Sequence, residues 1–396
     1  MKIRFFLLLF VNLYAFITTA QVELKDRINN ATQEYLSSRF MNGVYLFCDD
    51  SNIIDHGAKG VYSKEENTLL EPDQPMPIAS ATKTITAAAI LKLQDKGLLN
   101  VNDTVAKHLD SNSGIWSNGI PTWANKVTIH NLLTHRSGLP EYFMAAKIDI
   151  TKSHEQINKD IANFAASKTL AFEPGFKHDY CNTNYVILGL IIEKISGKKL
   201  ADFYQEEFFT PLGMKDTKLI TLEEAVSHQV NPGSIDYPIR YFVTPTGESK
   251  PTFNLAKSEF IMTPYADGGV ASTTKDLITW HRALHSGKVL SKDSFDLMIT
   301  KHYEAPSKEP NVKNYVGYGM FITEMEDDIV IYHHAGNALA IRCESGYIPA
   351  KNLYFAVLSN VMNYIPKEMK DKIDVSKPEN QLDISYFTKH VFNSIK

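Results

Sequence analysis

Ser80 and Lys83 lie three residues apart in PMPIASATKTITAAAILKLQDKG, Pro75 to Gly97. Lys83 is the single charge between Pro75 and Leu91. A lone ammonium in an apolar segment is costly to bury unless it is paired. The alanines with Ile85, Ile90 and Leu91 predict a helix that begins near Ser80 and stops at Gly97. Its apolar residues do not keep to one stripe, which places the helix at the centre of the fold. At this spacing Ser80 and Lys83 share a face. A hydroxyl beside a desolvated lysine is a route to an activated nucleophile. The plainer reading is a capping serine and a lysine that extends to solvent.

The S-x-x-K spacing recurs at Ser196/Lys199 and Ser272/Lys275. Ser196 precedes Gly197 and reads as a helix end. Ser272 precedes Lys275 and Asp276 and reads as an exposed first turn. Only Ser80 has its lysine embedded in apolar sequence. Tyr180-Cys181-Asn182, in HDYCNTNYVILGLIIEKISG, is the one Y-x-N of the chain. A phenol near a cationic lysine is lowered in pKa and can shuttle protons. Asn182 can donate to a substrate carbonyl or bond the lysine. His334-Ala335-Gly336, in IYHHAGNALAIRCESGYIP, follows one expected strand and precedes another. A glycine there admits close approach of a substrate to the backbone. A main-chain N–H on such an edge can complete an oxyanion hole with that of the nucleophile. Taken singly, Tyr180, Asn182 and His334 read as core or turn residues.

These residues need a scaffold. Gly43–Asp49 and Ile53–Tyr62 flank the polar turn Asp49-Asp50-Ser51-Asn52 as a hairpin. Tyr315–Thr323, Ile329–His333, Ile341–Ile348 and Leu353–Ser359 alternate like antiparallel strands. Helices are expected over Ile129–Pro140, 150–170, 183–210, Thr274–Ser286 and Ile384–Ile395. Strands thus sit at both ends of the chain and helices in the middle. The fold class is α+β: an antiparallel β-sheet flanked by helices, plus an all-helical lobe. The expected division is an α/β lobe over 24–105 and 262–396 and a helical lobe over 106–261, with a cleft between them.

The chain opens MKIRFFLLLFVNLYAFITTAQ, a basic start, an apolar run and small residues before Gln21. This reads as a signal peptide over 1–20, with a mature domain over 21–396 and a periplasmic or secreted location. No later stretch is long and apolar enough to span a bilayer. The 41 basic and 45 acidic residues leave a net charge of −4, which argues against nucleic acid or an anionic membrane as partner. Cys48, Cys181 and Cys343 are too few and scattered for a disulfide framework. There is no H-E-x-x-H and no cysteine pair at zinc spacing, so no metal and no cofactor is expected. His281 and His285, four apart on an expected helix, read as exposed or capping.

In order along the chain, the three motifs resemble the serine β-lactamase and penicillin-binding protein superfamily, specifically its class C-like branch. LLTHRSGLP, PLGMKDT, DGGVASTTKDLITWHRAL, GYGMF and HHAGN are similar to signature stretches of that branch. The resemblance implies Ser80 as nucleophile, Lys83 as base or proton relay, Tyr180 as proton-transfer partner and Asn182 as the residue that positions substrate or lysine. It implies an oxyanion hole from the N–H groups of Ser80 and Asn337. His334 stands where many members carry lysine, which weakens the grip on a substrate carboxylate and disfavours a dedicated β-lactamase. Asn337 and Ala340 replace glycines, and Arg342 is a candidate for the missing positive charge, against the plainer reading of a surface arginine. The expected partner is a small-molecule or peptide substrate. The expected activity is that of an esterase, a D-amino-acid peptidase or a β-lactamase, against a non-catalytic binding protein that kept the fold.

Overall fold

Strand β1 (Gly43–Cys48) is buried along its whole length. Its side chains alternate between two cores. Val44, Leu46 and Cys48 join the core shared with the central helices, whereas Tyr45 and Phe47 join a second core on the other face. In this computed structural model, residues 22–39, 41–63, 68–143, 145–149, 151–221, 224, 241–243, 249–251, 265–307, 309–326, 328–338, 341–363 and 384–395 are described. The expected signal peptide, most of 221–265 and Ala340 lie outside them.

β1 belongs to an eight-stranded sheet with β2 (Ile53–Lys59), β3 (Tyr303–Ala305), β4 (Lys313–Val316), β5 (Phe321–Glu324), β6 (Val330–Ala338), β7 (Ile341–Ile348) and β8 (Leu353–Ser359). The spatial order is β3-β4-β5-β6-β7-β8-β1-β2, and every neighbouring pair is antiparallel. β1 therefore pairs with β8, Val44 opposite Leu358. A helix over 22–38 and the C-terminal helix cover the second face through Ile28, Tyr35, Phe387 and Val391.

The helices that matter for the site are α1 (Thr82–Asp95), α2 (Ile129–Leu133), α3 (His154–Ala166), α4 (Asn182–Ser196) and α5 (Thr274–His285). α1 is enclosed: nothing from Thr82 to Leu91 is exposed. α4 packs against α1, α2 and α3. It ends at Gly197, whose left-handed conformation (φ 68°) caps the last turn. Within α4, Gly189 lies against the turn Tyr265–Gly269. A Cβ there would meet Tyr265 Cε1 at 2.5 Å and the Ala266 Cβ at 2.7 Å.

Several expected boundaries change. The run Tyr315–Thr323 is two strands, β4 and β5, split at a turn where Gly319 takes φ 64° against the Lys83 carbonyl. β6 extends through His334 and Gly336, so that motif lies within a strand rather than between two. The helix expected over Ile129–Pro140 ends at Leu133. The helix expected over 183–210 breaks at Gly197 and resumes at Leu200–Tyr204. Ser272 is buried, hydrogen-bonded to Thr217, and not part of an exposed first turn; Thr273 caps α5. His281 is buried against Ser345 rather than exposed.

Gly189→Ala is expected to lower stability by about 1–3 kcal/mol, because α4 and the Tyr265–Gly269 turn must separate. The midpoint of urea unfolding measures it. An unchanged midpoint would mean the turn is free to shift.

Candidate active site

Ser80 sits in a 3₁₀ turn, Ala79–Ala81, immediately before α1. Ala79 holds φ 46°, a conformation that a residue with a Cβ rarely adopts. Such strain persists only where the surroundings impose it. Here they do: the Ile78 N–H donates to the Val270 carbonyl at 2.9 Å, and the Thr82 hydroxyl accepts from the Val270 N–H at 3.1 Å. Ser80 is not a cap, since α1 has no side-chain cap bond. Its hydroxyl is left for other use.

Lys83 lies one turn on and is fully buried. It does not extend to solvent. Its Nζ donates to Ser80 Oγ (3.1 Å), Asn182 Oδ1 (2.8 Å) and the Asp267 carbonyl (2.5 Å). Three donors meet three oxygens, as an ammonium requires. The rings of Tyr180 and Tyr185 face the same charge at 5.1 and 5.4 Å from their centroids, a further favourable contact.

Asn182 is the first residue of α4. Its side-chain oxygen accepts from Lys83, and its Nδ2 donates to Glu141 Oε2 at 3.1 Å. The same carboxylate oxygen accepts the Asn182 main-chain N–H at 2.7 Å. An ammonium on one side and a carboxylate on the other fix which way the amide points. Tyr180 precedes the helix and stacks on His135, centroids 4.2 Å apart and planes at 26°. Burial, helped by the Lys83 charge, holds His135 well below the ordinary histidine range. It is a neutral shelf beneath the phenol.

His334 and Gly336 are two residues apart on β6 and share one face of the sheet. Gly336 is pressed against the turn that holds Ser80: a Cβ would fall 1.9 Å from the Ile78 carbonyl oxygen. The glycine thus serves a contact inside the protein as well as any approach of a substrate. His334 is 3% exposed, borders Tyr180 (6.4 Å between rings) and Phe321 (5.2 Å), and its Nδ1 lies 2.7 Å from the Ala335 carbonyl. Burial first, then the Lys83 charge, pushes its pKa down to about 3. At neutral pH it carries no charge. Asn337 is exposed next to Gly336, where β6 passes the Ser80 turn. Arg342 pairs with Asn337, whereas Cys343 pairs with Gly336. By alternation Arg342 belongs to the opposite face from His334, so it does not replace a cation on the Ser80 side.

The structure thus brings Ser80, Lys83 and Asn182 into one hydrogen-bonded network, with Tyr180 and His334 at its border. Sequence reasoning missed Glu141, Asp267 and His135. Each comes from a turn or loop and not from a periodic element: Glu141 follows Leu139-Pro140, Asp267 precedes Gly268-Gly269, and His135 (φ 55°) follows α2. The one available signal was a carboxylate within an otherwise apolar or glycine-rich stretch. Among the described residues, no group of three His, Cys, Asp or Glu is placed to hold a metal ion. Cys48, Cys181 and Cys343 are buried free thiols. No helix among the described residues is long and apolar enough to cross a membrane.

The beta-lactamase family model matches residues 28–376, a span that contains every residue of this network. The chain belongs to the beta-lactamase family. Penicillin-binding protein 4* of Bacillus subtilis is 33% identical over 261 residues, 64% of this chain and 54% of that protein. The chain spans about half the length of the curated relatives it matches. Among solved structures, the octameric penicillin-binding protein homologue from Pyrococcus abyssi is 27% identical with a TM-score of 0.68, over 86% of this chain and 74% of that one. The D-amino acid amidase from Ochrobactrum anthropi SV3 has the same fold, with a TM-score of 0.70 at 19% identity over 94% of this chain and 98% of that one. Within this beta-lactamase family fold, Glu141 is the residue that anchors Asn182.

Glu141→Ala is expected to slow reaction at Ser80 by about 10²-fold with the fold kept, because a side chain displaced by about 1 Å loses its alignment. Single-turnover acylation rates alongside a circular dichroism spectrum test this. An unaltered rate would show that α4 alone positions Asn182.

Proposed function

We propose that this chain is a serine hydrolase that forms an acyl-enzyme on Ser80. The contact that carries this reading is Lys83 Nζ, fully buried and 3.1 Å from Ser80 Oγ, with its remaining donors satisfied by Asn182 and Asp267. Ser80 Oγ attacks the carbonyl carbon of a substrate. With Lys83 holding its full set of protons, the Ser80 proton passes to the oxygen of Tyr180 in its deprotonated form and then to the leaving group. The negative charge on the carbonyl oxygen is met by the N–H groups of Ser80 and Asn337. Water, activated by the same Tyr180 oxygen, attacks the acyl-enzyme, and the acid product leaves with Ser80 restored.

The substrate is an ester, an amide or peptide of a D-amino acid, or a β-lactam. The names of the relatives, which include a D-amino acid amidase and penicillin-binding proteins, support this range. The neutral His334 favours esters and amides over substrates held by a carboxylate, since an uncharged imidazole forgoes a charge-assisted hydrogen bond worth about 1.5–3 kcal/mol. We place the protein outside the cytoplasm, in the periplasm or secreted, on the strength of the basic start and apolar run of residues 1–20.

Purified protein is expected to hydrolyse a p-nitrophenyl short-chain ester, and Ser80→Ala to lose that activity with an unchanged circular dichroism spectrum. Activity that survives in a folded Ser80→Ala would remove the nucleophile assignment. His334→Lys is expected to lower KM for a D-Ala-D-Ala peptide by about tenfold, from one charge-assisted bond, while KM for the neutral ester stays put. Equal shifts for both substrates would contradict a carboxylate-specific role for this position.

A further inference from the structure

The turn Tyr265–Gly269 carries a buried carboxylate that the reaction scheme above does not use. Asp267 is 1% exposed. Its main-chain carbonyl receives Lys83 Nζ, and its Oδ2 accepts the Tyr142 hydroxyl at 2.8 Å. Its Oδ1 has no hydrogen-bond partner among the described residues. A buried carboxylate held by the Tyr142 hydroxyl and its own main-chain N–H, with no charged donor, is poorly solvated. Lys83 has the converse problem: all three of its bonds go to formally neutral oxygens. Glu141 does not resolve it. Its Oε2 is occupied by the two Asn182 donors and its Oε1 by the Phe143 N–H.

We propose that Asp267 is the counter-charge of Lys83, a positioning residue that keeps the ammonium in place beneath Ser80. The turn is built to hold the two together. The Ala266 carbonyl accepts the Thr86 hydroxyl of α1 at 2.5 Å, and the Gly269 N–H closes onto the Tyr265 carbonyl at 2.7 Å. Gly189 of α4 leaves the space for Tyr265 and Ala266. Asp267 is thus wedged between two helices with its carboxylate on the residue that touches Lys83. Two opposite charges removed from water attract far more strongly than at a surface.

This assignment predicts a pH dependence. The groups around Asp267 are Lys83 on α1, Tyr142 and Glu141 in the loop after α2, Glu193 on α4, Tyr204, and Tyr265 in its own turn. Burial pushes Asp267 up to about 6, against the pull of Lys83 and of the Tyr142 hydroxyl. Burial also raises Tyr204 and Tyr265, which stay neutral phenols, and raises Glu193. His135 and His334 are already uncharged near pH 6. Above pH 6 the Asp267 carboxylate compensates Lys83. Below it the carboxyl takes a proton, Lys83 becomes an uncompensated buried cation, and reaction at Ser80 slows.

The proposal rests on Ser80 being the nucleophile, so the test uses a probe that reports on that serine without a natural substrate. The rate of covalent labelling of the full chain by a fluorophosphonate is followed from about pH 5 to about pH 8. Wild-type labelling is expected to fall on the acid side with a midpoint near 6. Asp267→Asn keeps the acceptor for Tyr142 and removes the charge. It should label about tenfold more slowly at pH 8 and lose the midpoint near 6. Asp267→Glu, which restores a carboxylate, should recover part of the rate. Tyr142→Phe removes the donor that favours the ionised form, so its midpoint should move upward. It reports on Asp267 even if Asp267→Asn fails to fold. A midpoint that stays near 6 in both Asp267→Asn and Tyr142→Phe overturns the counter-charge. Absence of Ser80 labelling at every pH in the wild type overturns the hydrolase reading instead.

Discussion

A single buried ammonium governs the centre of this molecule. Lys83 is sealed from water, so its cost must be met by oxygens placed within hydrogen-bond reach from three directions. The 3₁₀ turn before α1 supplies Ser80, the first residue of α4 supplies Asn182, and the Tyr265–Gly269 turn supplies a carbonyl. None of the three is a neighbour of the others in sequence. Satisfying one cation therefore ties α1, α4 and a glycine turn into a fixed relation, and the proposed nucleophile lies at the meeting point.

Glycines set the spacing of that junction. Gly336 lets β6 touch the Ile78 carbonyl, Gly319 lets the β4–β5 turn touch the Lys83 carbonyl, and Gly189 lets the Tyr265–Gly269 turn bed into α4. Each contact is main chain or close packing at a distance no Cβ would allow. The network around Lys83 depends on these approaches as much as on its hydrogen bonds, because an ångström of separation would leave the ammonium short of an acceptor.

The part of the site that was legible in sequence was the part written by local pattern. Ser80 and Lys83 could be read because a lone charge interrupts an apolar run. Tyr180 and Asn182 could be read because they abut a strongly apolar helix. β1 and β8 were legible because both of their faces are covered and their sequences are nearly continuous in apolar residues, and β7 because its residues alternate. What was not legible belongs to tertiary placement. Glu141, Asp267 and His135 sit in turns and loops with no period to betray them. The break between β4 and β5 depends on Gly319 meeting α1, a contact between segments far apart in the chain. The face that Arg342 occupies depends on strand register, which sequence proximity to Gly336 does not reveal.

The pairing of β1 with β8 also has a consequence for how the molecule comes into being. Ser359 bonds the carbonyl of Asn42 across 317 residues of chain. The turn and helix that bear Ser80 and Lys83 come early in the chain, after β1 and β2, while His334 and Gly336 arrive only with the late strands. Contacts this distant in sequence form slowly, because the loop entropy is lost before the contact repays it. During synthesis α1, which the folded protein encloses, therefore waits for its late partners until most of the polypeptide exists. The surroundings of the proposed nucleophile are therefore completed late, because a chain cut short of β6 lacks the Gly336 edge that packs on the Ser80 turn.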